Sequence, residues 1–192
     1  MKIGLFFGSF NPIHTGHLII AQVVHQLAGL DKIWFVVSPQ NPFKKTKGLL
    51  HEFDRLDLVR RAIGDNYHFE ACDAEFSMPK PSYTADTLAY LSERHPSHHF
   101  QLILGSDNLR HFDKWKNYRL ILDQYGLLVY PRSKAIEAEP ELLSHPQVIF
   151  VDAPLIEISA TFIRQRLREG YSVRYLVPDE VEQYIRSRRF YE

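Results

Sequence analysis

The sequence predicts an α/β protein with a doubly wound parallel sheet and a small C-terminal helical segment. Short apolar runs of strand length alternate with segments of helical spacing along most of the chain. Glycine-bearing turns follow the first and the fourth of these runs, at Gly8 and Gly105. Two helical segments come last, without a strand between them. We expect residues 1–192 to form a single domain, since an apolar fraction of 45% can support a sizeable core.

The individual elements follow from the spacing of the apolar side chains. The predicted strands are residues 2–7, 32–37, 67–72, 100–104, 127–130 and 148–151. The predicted helices open near residue 18 and then cover 52–63, 83–94, 118–124, 160–169 and 178–188. Pro178 suits a first helical turn, where a missing N–H group costs nothing. The segment 131–146 has a proline at each end and is expected to be a variable part of the surface.

Composition and charge exclude several broad classes of function. Lys and Arg together number 23, as do Asp and Glu, so the chain lacks the basic excess of a broad nucleic-acid surface. The single cysteine, Cys72, can form no internal disulfide and cannot by itself hold a metal ion. No apolar run approaches the length of a membrane span, and the apolar N-terminal stretch is too short for a signal peptide. We therefore expect a soluble cytoplasmic protein that binds neither nucleic acid nor membrane.

The loop between the first strand and the first helix carries the strongest functional signal. It reads Gly8-Ser9-Phe10-Asn11-Pro12-Ile13-His14-Thr15-Gly16-His17. The free N–H groups and the dipole of the following helix attract phosphate, and both imidazoles can donate hydrogen bonds to phosphoryl oxygens. The loop is neither a Walker loop nor a dinucleotide-binding fingerprint. The alternatives are two solvated histidines, or a zinc site that would need a third ligand.

A second phosphate-binding segment is predicted at the start of a late helix. Ser159 is a suitable N-cap, Thr161 lies in the first turn, and Arg164 follows one turn later. Taken alone, the segment is an ordinary capped helix with a solvated arginine. Combined with the first loop, its two hydroxyls and its guanidinium group suit a polyphosphate.

Further candidate segments follow predicted strands, at the edge where a doubly wound sheet binds ligands. The basic loop 42–47 contains Lys44 and is either a solvated charge run or a cover over a bound anion. Ser82 or Thr84 is a candidate cap for the next helix, whose free N–H groups could instead receive a carboxylate. Asp107 could bind a ribose or cap a helix. Trp115 is either a core aromatic or a stacking platform for a flat ring.

Together these motifs resemble the nucleotidylyltransferase superfamily and, within it, the bacterial nicotinate-nucleotide adenylyltransferases. The resemblance covers nearly the whole chain and keeps the order of the family's motifs. The family patterns are G-[ST]-F-[DN]-P-x-H-x-G-H, P-S-Y-T-x-x-T, G-x-D with a later Trp, and I-S-[SA]-T-x-I-R. They are met in turn by residues 8–17, by 81–87, by Gly105, Asp107 and Trp115, and by 158–164. Two departures are visible, since Phe7 stands where the family usually has a first Gly and Phe43 where its loop usually has His.

The resemblance implies a Rossmann-like nucleotidylyltransferase fold and adenylyl transfer from ATP to nicotinate mononucleotide. The products would be deamido-NAD and pyrophosphate, in a step of NAD biosynthesis. The attacking phosphate oxygen is already ionised at neutral pH, so the reaction needs no general base, and the sequence offers no convincing Ser-His-Asp or paired-carboxylate set. Catalysis should come from positioning and charge stabilisation. Mg²⁺ should be held mainly by the ATP phosphates and by water rather than by a cage of protein carboxylates.

The family's residue roles carry over to the matching positions of this chain. The resemblance implies that the catalytic residues, which grip the phosphates, are His14, His17 and Arg164. It implies that ATP or its phosphates are bound by Gly8, Ser9, Phe10, Lys44, Gly105, Asp107, Ile158, Ser159 and Thr161. It implies that nicotinate is bound by Tyr83, Thr84 and Trp115. In this arrangement the indole stacks on the pyridine ring, and N–H groups near Thr84 receive the carboxylate.

Other hypotheses stay open at this point. The amide, nicotinamide mononucleotide, is an alternative substrate because neutral N–H donors can also hold an amide oxygen. Phosphopantetheine adenylyltransferases usually lack one of the two histidines and have no P-S-Y-T segment. A class I aminoacyl-tRNA synthetase fragment would need a tRNA-reading domain and a basic surplus. A non-catalytic nucleotide sensor is the alternative from another class, and the sequence leaves a homo-oligomer open.

Overall fold

The computed structural model describes residues 1–40, 48–133 and 138–192, and its central feature is a parallel sheet. The strands are β1 (Lys2–Gly8), β2 (Lys32–Val37), β3 (Phe69–Cys72), β4 (His99–Gly105), β5 (Leu127–Tyr130) and β6 (Val148–Phe150). They lie in the order β3-β2-β1-β4-β5-β6, and every neighbouring pair is parallel. This six-stranded sheet, flanked by helices, confirms the predicted doubly wound α/β fold.

Helices connect the strands and cover both faces of the sheet. In the described part of the chain they are α1 (Thr15–Leu27), α2 (Glu52–Ile63), α3 (Thr84–Arg94), α4 (Ser106–Leu109), α5 (Tyr118–Tyr125), α6 (Pro140–Leu143), α7 (Ala160–Arg168) and α8 (Asp179–Arg188). Short 3₁₀ turns lie at Ala74–Ser77 and Phe112–Lys114. Every helix that the spacing predicted is present, and α8 begins directly after Pro178. The first helix begins at Thr15 rather than near residue 18, because the extended backbone ends at His14.

The prediction of a variable surface segment over 131–146 is wrong in part. Pro140 begins the short helix α6, at a position where a proline needs no N–H partner. Leu142 of this helix is buried, with only 4% of its surface exposed. The prolines at the two ends of the segment gave no sign of the helix that Pro140 begins inside it. At the other end of the segment, Arg132 lines a cleft at the edge of the sheet.

The strand order reverses between β1 and β4, which lie side by side at the centre of the sheet. Gly8 and Gly105 end these two strands at the same edge. The neighbouring strands end beside them, since Gly8 pairs with Val37 of β2 and Gly105 pairs with Tyr130 of β5. Loops that leave the two central strands diverge and open a crevice, which is where ligands bind in this fold. The candidate site therefore lies at a switch point of the sheet.

Alternating side chains of the strands build a separate core on each face of the sheet. Leu5 of β1 belongs to the core that is closed by α3 and α5. Phe6 points to the opposite face and belongs to the core that is closed by α1, α2, α7 and α8. Ile163 of α7 and Ile185 of α8 are at most 1% exposed in that second core. The predicted C-terminal helices are present, and they are packed into the main fold rather than appended to it.

Candidate active site

A phosphate cleft, as we name it, lies at the carboxyl ends of the central strands. Its walls come from segments distant in the sequence, among them the loop after β1, Leu49, the start of α4, the residues that follow β5 and the start of α7. The side chains important here are His14, His17, Asp107, Arg132, Ser159, Thr161 and Arg164. Gly8, Ser9 and Phe10 also line it. The structure thus brings the early imidazole pair and the late guanidinium group to one cleft.

His14 and His17 are stacked on each other at the start of α1. Their ring centroids are 3.7 Å apart, and the planes differ by 25°. The Nδ1 atom of His17 accepts a hydrogen bond from the main-chain N–H of His14 over 3.2 Å. A neutral His17 therefore carries its proton on Nε2, because Nδ1 is already used as an acceptor. This hydrogen bond fixes both the tautomer and the orientation of the ring.

His14 is held in its neutral form by its surroundings. Only 4% of its surface is exposed, and its buried Nδ1 has no hydrogen-bond partner among the described residues. Burial, assisted by the positive charge of Arg132, lowers the pKa of His14 from 6.5 to about 4. A phosphate group in the cleft would supply negative charge and a hydrogen-bond acceptor beside this ring.

The shape of the loop around the two histidines depends on close packing. Phe10 has a φ of +44°, a conformation that L side chains rarely adopt, and its buried ring contacts Phe6 and His17. A Cβ on Gly16 would lie 2.7 Å from Ile156 and 3.0 Å from Nδ1 of His14. A glycine between two histidines could serve to let a ligand approach the backbone. In the structure it lets α1 pack against Ile156 and the His14 ring.

Arg164 directly joins the two segments for which the sequence predicted phosphate binding. Its guanidinium donates one hydrogen bond to the main-chain carbonyl of Asn11 over 2.8 Å and another to the Thr161 hydroxyl over 3.2 Å. Ser159 caps α7 as predicted, since its hydroxyl accepts from the N–H of Phe162 over 3.2 Å. The arginine is therefore held in the cleft by the loop after β1, rather than extended into solvent as an ordinary helix residue would be.

Arg132 is a residue of this cleft that the sequence did not single out. Its main-chain N–H donates to the Ser106 hydroxyl over 2.9 Å, and its guanidinium donates to the carbonyl of Ile156 over 3.4 Å. Its position in the sequence could have indicated it, because Arg132 lies two residues after the end of β5, at the edge where this fold binds ligands. The flanking prolines of the segment hid that signal.

The second cleft, which we name the pyridine cleft, adjoins the first. Its lining includes Tyr83, Thr84, Gly105, Trp115 and Lys116. Both clefts are lined by Phe6, Phe7, Gly8, Ser9, Asn108 and Tyr130, which form a shared wall. Trp115 is half-buried and its ring centroid lies 5.4 Å from that of Phe112, so it is anchored in the core while lining the cleft. The P-S-Y-T segment and the late tryptophan are thus brought together.

A buried carboxylate organises the floor of the pyridine cleft. Glu75 is 2% exposed and accepts hydrogen bonds from the hydroxyls of Ser82 over 2.7 Å and of Thr87 over 2.8 Å. Burial raises the pKa of the Glu75 carboxyl above its usual range. The prediction that Ser82 or Thr84 caps α3 is wrong, because Tyr83 is the N-cap and no side chain fills that role. The hydroxyl of Ser82 serves Glu75 instead.

The remaining predicted residues have varied positions. Asp107 lines the phosphate cleft and does not cap α4, whose N-cap is Gly105. Gly105 has no room for a side chain, because a Cβ would lie 2.7 Å from Arg132. Ile158 lines neither cleft and is partly buried against the core, so its main-chain contact with adenine stays a prediction. Lys44 lies outside the described residues.

Within residues 1–40, 48–133 and 138–192, no group of three or more His, Cys, Asp or Glu is arranged to hold a metal ion. The donors that line the phosphate cleft are mainly imidazole, hydroxyl and guanidinium groups. Such groups suit the oxygens of a phosphate chain, with or without an ion that the phosphates carry. Across the same described residues, none of the helices has both the length and the apolar character needed to cross a membrane.

A doubly wound sheet with an anion cleft at its switch point defines a class of nucleotide-handling proteins. The model of the cytidylyltransferase-like family matches residues 5–166, which is most of the chain. The chain therefore belongs to the cytidylyltransferase-like family and is a nucleotidyltransferase.

Relatives that match over their full length show to which branch of the family the chain belongs. A probable nicotinate-nucleotide adenylyltransferase of Cytophaga hutchinsonii is 56% identical over 191 residues, covering 100% of this chain and 98% of the relative. Another from Flavobacterium johnsoniae is 47% identical over 192 residues, covering 100% of both. The structure of Plasmodium falciparum nicotinic acid mononucleotide adenylyltransferase complexed with NaAD matches with a TM-score of 0.82. That match has 22% identity and covers 99% of this chain and 97% of the other, so it shows the shared fold. Within its class, the chain belongs to the nicotinate-nucleotide adenylyltransferases, as its motifs predicted.

Proposed function

We propose that the protein transfers the adenylyl group of ATP to nicotinate mononucleotide, forming deamido-NAD and pyrophosphate in NAD biosynthesis. The observation that carries this proposal is the shared wall of the two clefts, which includes Gly8, Ser9 and Asn108. A triphosphate in one cleft and a pyridine nucleotide in the other would meet at that wall. The names of the full-length relatives support the same substrates.

On the phosphate side, we assign charge stabilisation to His14, His17 and Arg164. The nucleophile is an ionised phosphate oxygen of the mononucleotide, which attacks the α-phosphorus of ATP as the bond to pyrophosphate breaks. Negative charge then grows on the departing pyrophosphate and on the α-phosphate oxygens. His17 would donate from Nε2, the atom that carries the proton in its fixed tautomer. Preorganised donors of this kind stabilise a transition state because they need no reorientation during the reaction.

The β- and γ-phosphates of ATP would bind to the amino end of α7, at Ser159, Thr161 and Arg164. Ser9 and the main chain at Gly8 and Phe10 would complete the contacts near the α-phosphate. Arg132 is an addition to this set, supported by its place in the cleft. Lys44 stays a proposed phosphate contact on the resemblance alone. Mg²⁺, when bound, would neutralise phosphate charge, and we propose that it enters with ATP because the cleft offers mainly cationic and hydroxyl groups.

On the pyridine side, we assign ring stacking to Trp115 and recognition of the carboxylate to the N–H groups at the start of α3, around Tyr83 and Thr84. No side chain caps that helix, so its first N–H groups are oriented to receive an anion. Glu75 keeps the segment in place by binding the hydroxyls on either side of it. The adenosine of ATP would lie toward Gly105 and Asp107, with the Ile158 main chain near adenine.

A direct assay tests this proposal. The purified protein is incubated with ATP, Mg²⁺ and either nicotinate or nicotinamide mononucleotide, and dinucleotide and pyrophosphate are both quantified. We expect equal amounts of the two products with nicotinate mononucleotide and a lower kcat/KM with the amide. A preference for the amide would show that nicotinamide mononucleotide is the substrate of the same adenylyl transfer. If neither product forms although ATP binds, the proposed reaction is refuted and a nucleotide sensor is the better interpretation.

A further inference from the structure

A hydrogen-bond network around Asn11 joins the loop after β1 to distant parts of the chain. Asn11 is buried, with 6% of its surface exposed. Its side-chain amide donates to the carbonyl of Gly48 over 3.0 Å, and its Oδ1 accepts from the N–H of Leu50 over 3.2 Å. The same Oδ1 accepts from the hydroxyl of Tyr191 over 2.8 Å. Both ends of the amide are therefore engaged, and its orientation is fixed.

The main chain of Asn11 supports a residue to which we assign phosphate binding. Arg164 donates to the Asn11 carbonyl over 2.8 Å, and this contact spans 153 positions of sequence. Where that carbonyl lies decides where the guanidinium rests. The side chain of Asn11 sets the position of its carbonyl, and Tyr191 is one of the groups that hold the side chain. A chain of contacts thus leads from Tyr191 to the phosphate cleft, although Tyr191 does not line that cleft.

Tyr191 is well placed to act as a fixed support. It is 8% exposed, and its ring centroid lies 6.3 Å from that of Phe190. Burial raises the pKa of its hydroxyl above the usual range, against the opposing effect of Arg164 and Arg55. The hydroxyl therefore keeps its proton at physiological pH and remains a donor to Asn11.

We propose that Tyr191 is a positioning residue for ATP: its hydroxyl holds the Asn11 side chain, and Asn11 in turn places Arg164. The inference rests on the phosphate-binding role given to Arg164 under the proposed function. Without the hydroxyl, the Asn11 side chain keeps its hydrogen bonds to Gly48 and Leu50 but loses one of its three partners, so its position is less tightly fixed. Arg55 donates to the carbonyls of Ser9 and Leu50 over 2.7 and 2.9 Å, so the surrounding loops stay folded and the change is confined to placement.

The test compares two tyrosine variants that each lose one hydroxyl. Tyr191→Phe removes the donor to Asn11 and keeps the buried ring. Tyr125→Phe is the matched control, because its hydroxyl lies 3.2 Å from that of Ser92 and outside both clefts. Calorimetry measures binding of α,β-methylene-ATP and, separately, of nicotinate mononucleotide. We expect Tyr191→Phe to weaken binding of the ATP analogue roughly fivefold, the effect of one net hydrogen bond, and to leave the mononucleotide affinity unchanged. Tyr125→Phe should change neither affinity.

A double-mutant cycle with Arg164→Ala separates placement of the arginine from a general effect on the fold. In the Arg164→Ala background, Tyr191→Phe should cause no further loss of affinity for the ATP analogue, since the group that it positions is gone. The proposal is overturned by an unchanged affinity in Tyr191→Phe, by an equal loss for both nucleotides, or by the same fivefold loss in both backgrounds. If the wild-type protein binds the ATP analogue but makes no dinucleotide, the proposed function is refuted. The role of Tyr191 in positioning Arg164 is then still decided by the double-mutant cycle, which measures binding alone.

Discussion

The two clefts share one wall and differ in how they are built. The phosphate cleft collects two guanidinium groups, those of Arg132 and Arg164, and the imidazole rings of His14 and His17. The pyridine cleft has a buried carboxylate, Glu75, below its floor and relies on hydroxyls, main-chain N–H groups and an aromatic ring. Lys116, the lysine that lines it, is already paired with Asp86 over 2.8 Å.

This difference indicates what each cleft must do. A triphosphate carries several negative charges, and charge-assisted hydrogen bonds to it are short and strong. The phosphate cleft can therefore bind a triphosphate mainly through charged donors. A pyridine nucleotide offers a flat ring and one small polar group, and its recognition depends on shape and on donor placement. We therefore expect substitutions in the phosphate cleft to lower the reaction rate strongly and substitutions in the pyridine cleft to weaken the binding of one nucleotide selectively.

The largest effect is expected for Arg164→Ala. Loss of one preorganised donor to a transition state lowers the rate by roughly 10²–10³-fold, so we expect kcat to fall at least about a hundredfold. Arg166→Ala is the matched control on the same helix, because Arg166 pairs with exposed Glu169 over 3.5 Å and lines neither cleft. Steady-state kinetics on both purified variants measure the two values of kcat. Turnover of Arg164→Ala within threefold of the wild type would remove the arginine from catalysis.

The next effect concerns stability against pH and tests whether His14 is neutral. Its pKa is about 4 in the folded protein against an ordinary value of 6.5. The unfolded chain therefore takes up a proton first, so the stability that the neutral ring provides is complete above pH 6.5 and is lost as the pH falls toward 4. Between pH 7 and 5 the wild type should lose about 2 kcal/mol more than His14→Gln in denaturant unfolding. Parallel curves for the two proteins would show that His14 is not held neutral, and exposed His111→Gln serves as the control.

Glu75 gives the opposite sign on the other side of the shared wall. Its pKa is raised by burial, so its contribution to stability is complete below the ordinary carboxyl pKa and is lost as the pH rises through the raised value. The contribution of His14 to the free energy of unfolding is therefore lost as the pH falls, whereas that of Glu75 is lost as the pH rises.

A smaller effect is expected for Trp115→Ala, and it concerns only the pyridine cleft. An aromatic stacking pair contributes about 0.5–1.5 kcal/mol beyond area burial, so the Kd for nicotinate mononucleotide should rise about tenfold. The Kd for the ATP analogue should stay within twofold, and Trp115→Phe should keep most of the wild-type affinity. Equal losses for both nucleotides would place Trp115 in the core rather than at a ligand.

The fold was predictable from sequence because parallel strands that are buried on both faces are written as continuous apolar runs. The edge of the sheet that holds the candidate site followed from the same pattern, since Gly8 and Gly105 each end such a run. The segment 131–146 was judged from the prolines at its two ends, and these carry no information on the helix that begins inside it at Pro140. The predicted cap at Ser82 failed because the competing partner, Glu75, comes from a separate 3₁₀ turn.

The contacts that connect the site could not be predicted in the same way. Asn11 looks like one more loop residue, and its bonds to Gly48, Leu50 and Tyr191 join positions up to 180 residues apart. Local spacing contains no information on such pairs, because the fold alone brings them together. The same holds for the carbonyl of Asn11 as the support of Arg164.

The central claim is that one ATP and one pyridine nucleotide meet at the shared wall of two clefts. A crystal structure of the protein with α,β-methylene-ATP and nicotinate mononucleotide tests it most directly. We expect the triphosphate against His14, His17 and Arg164, the pyridine ring on Trp115, and the mononucleotide phosphate facing the α-phosphorus. A triphosphate bound away from the imidazole pair and Arg164, or a pyridine ring outside the cleft of Trp115, would contradict it.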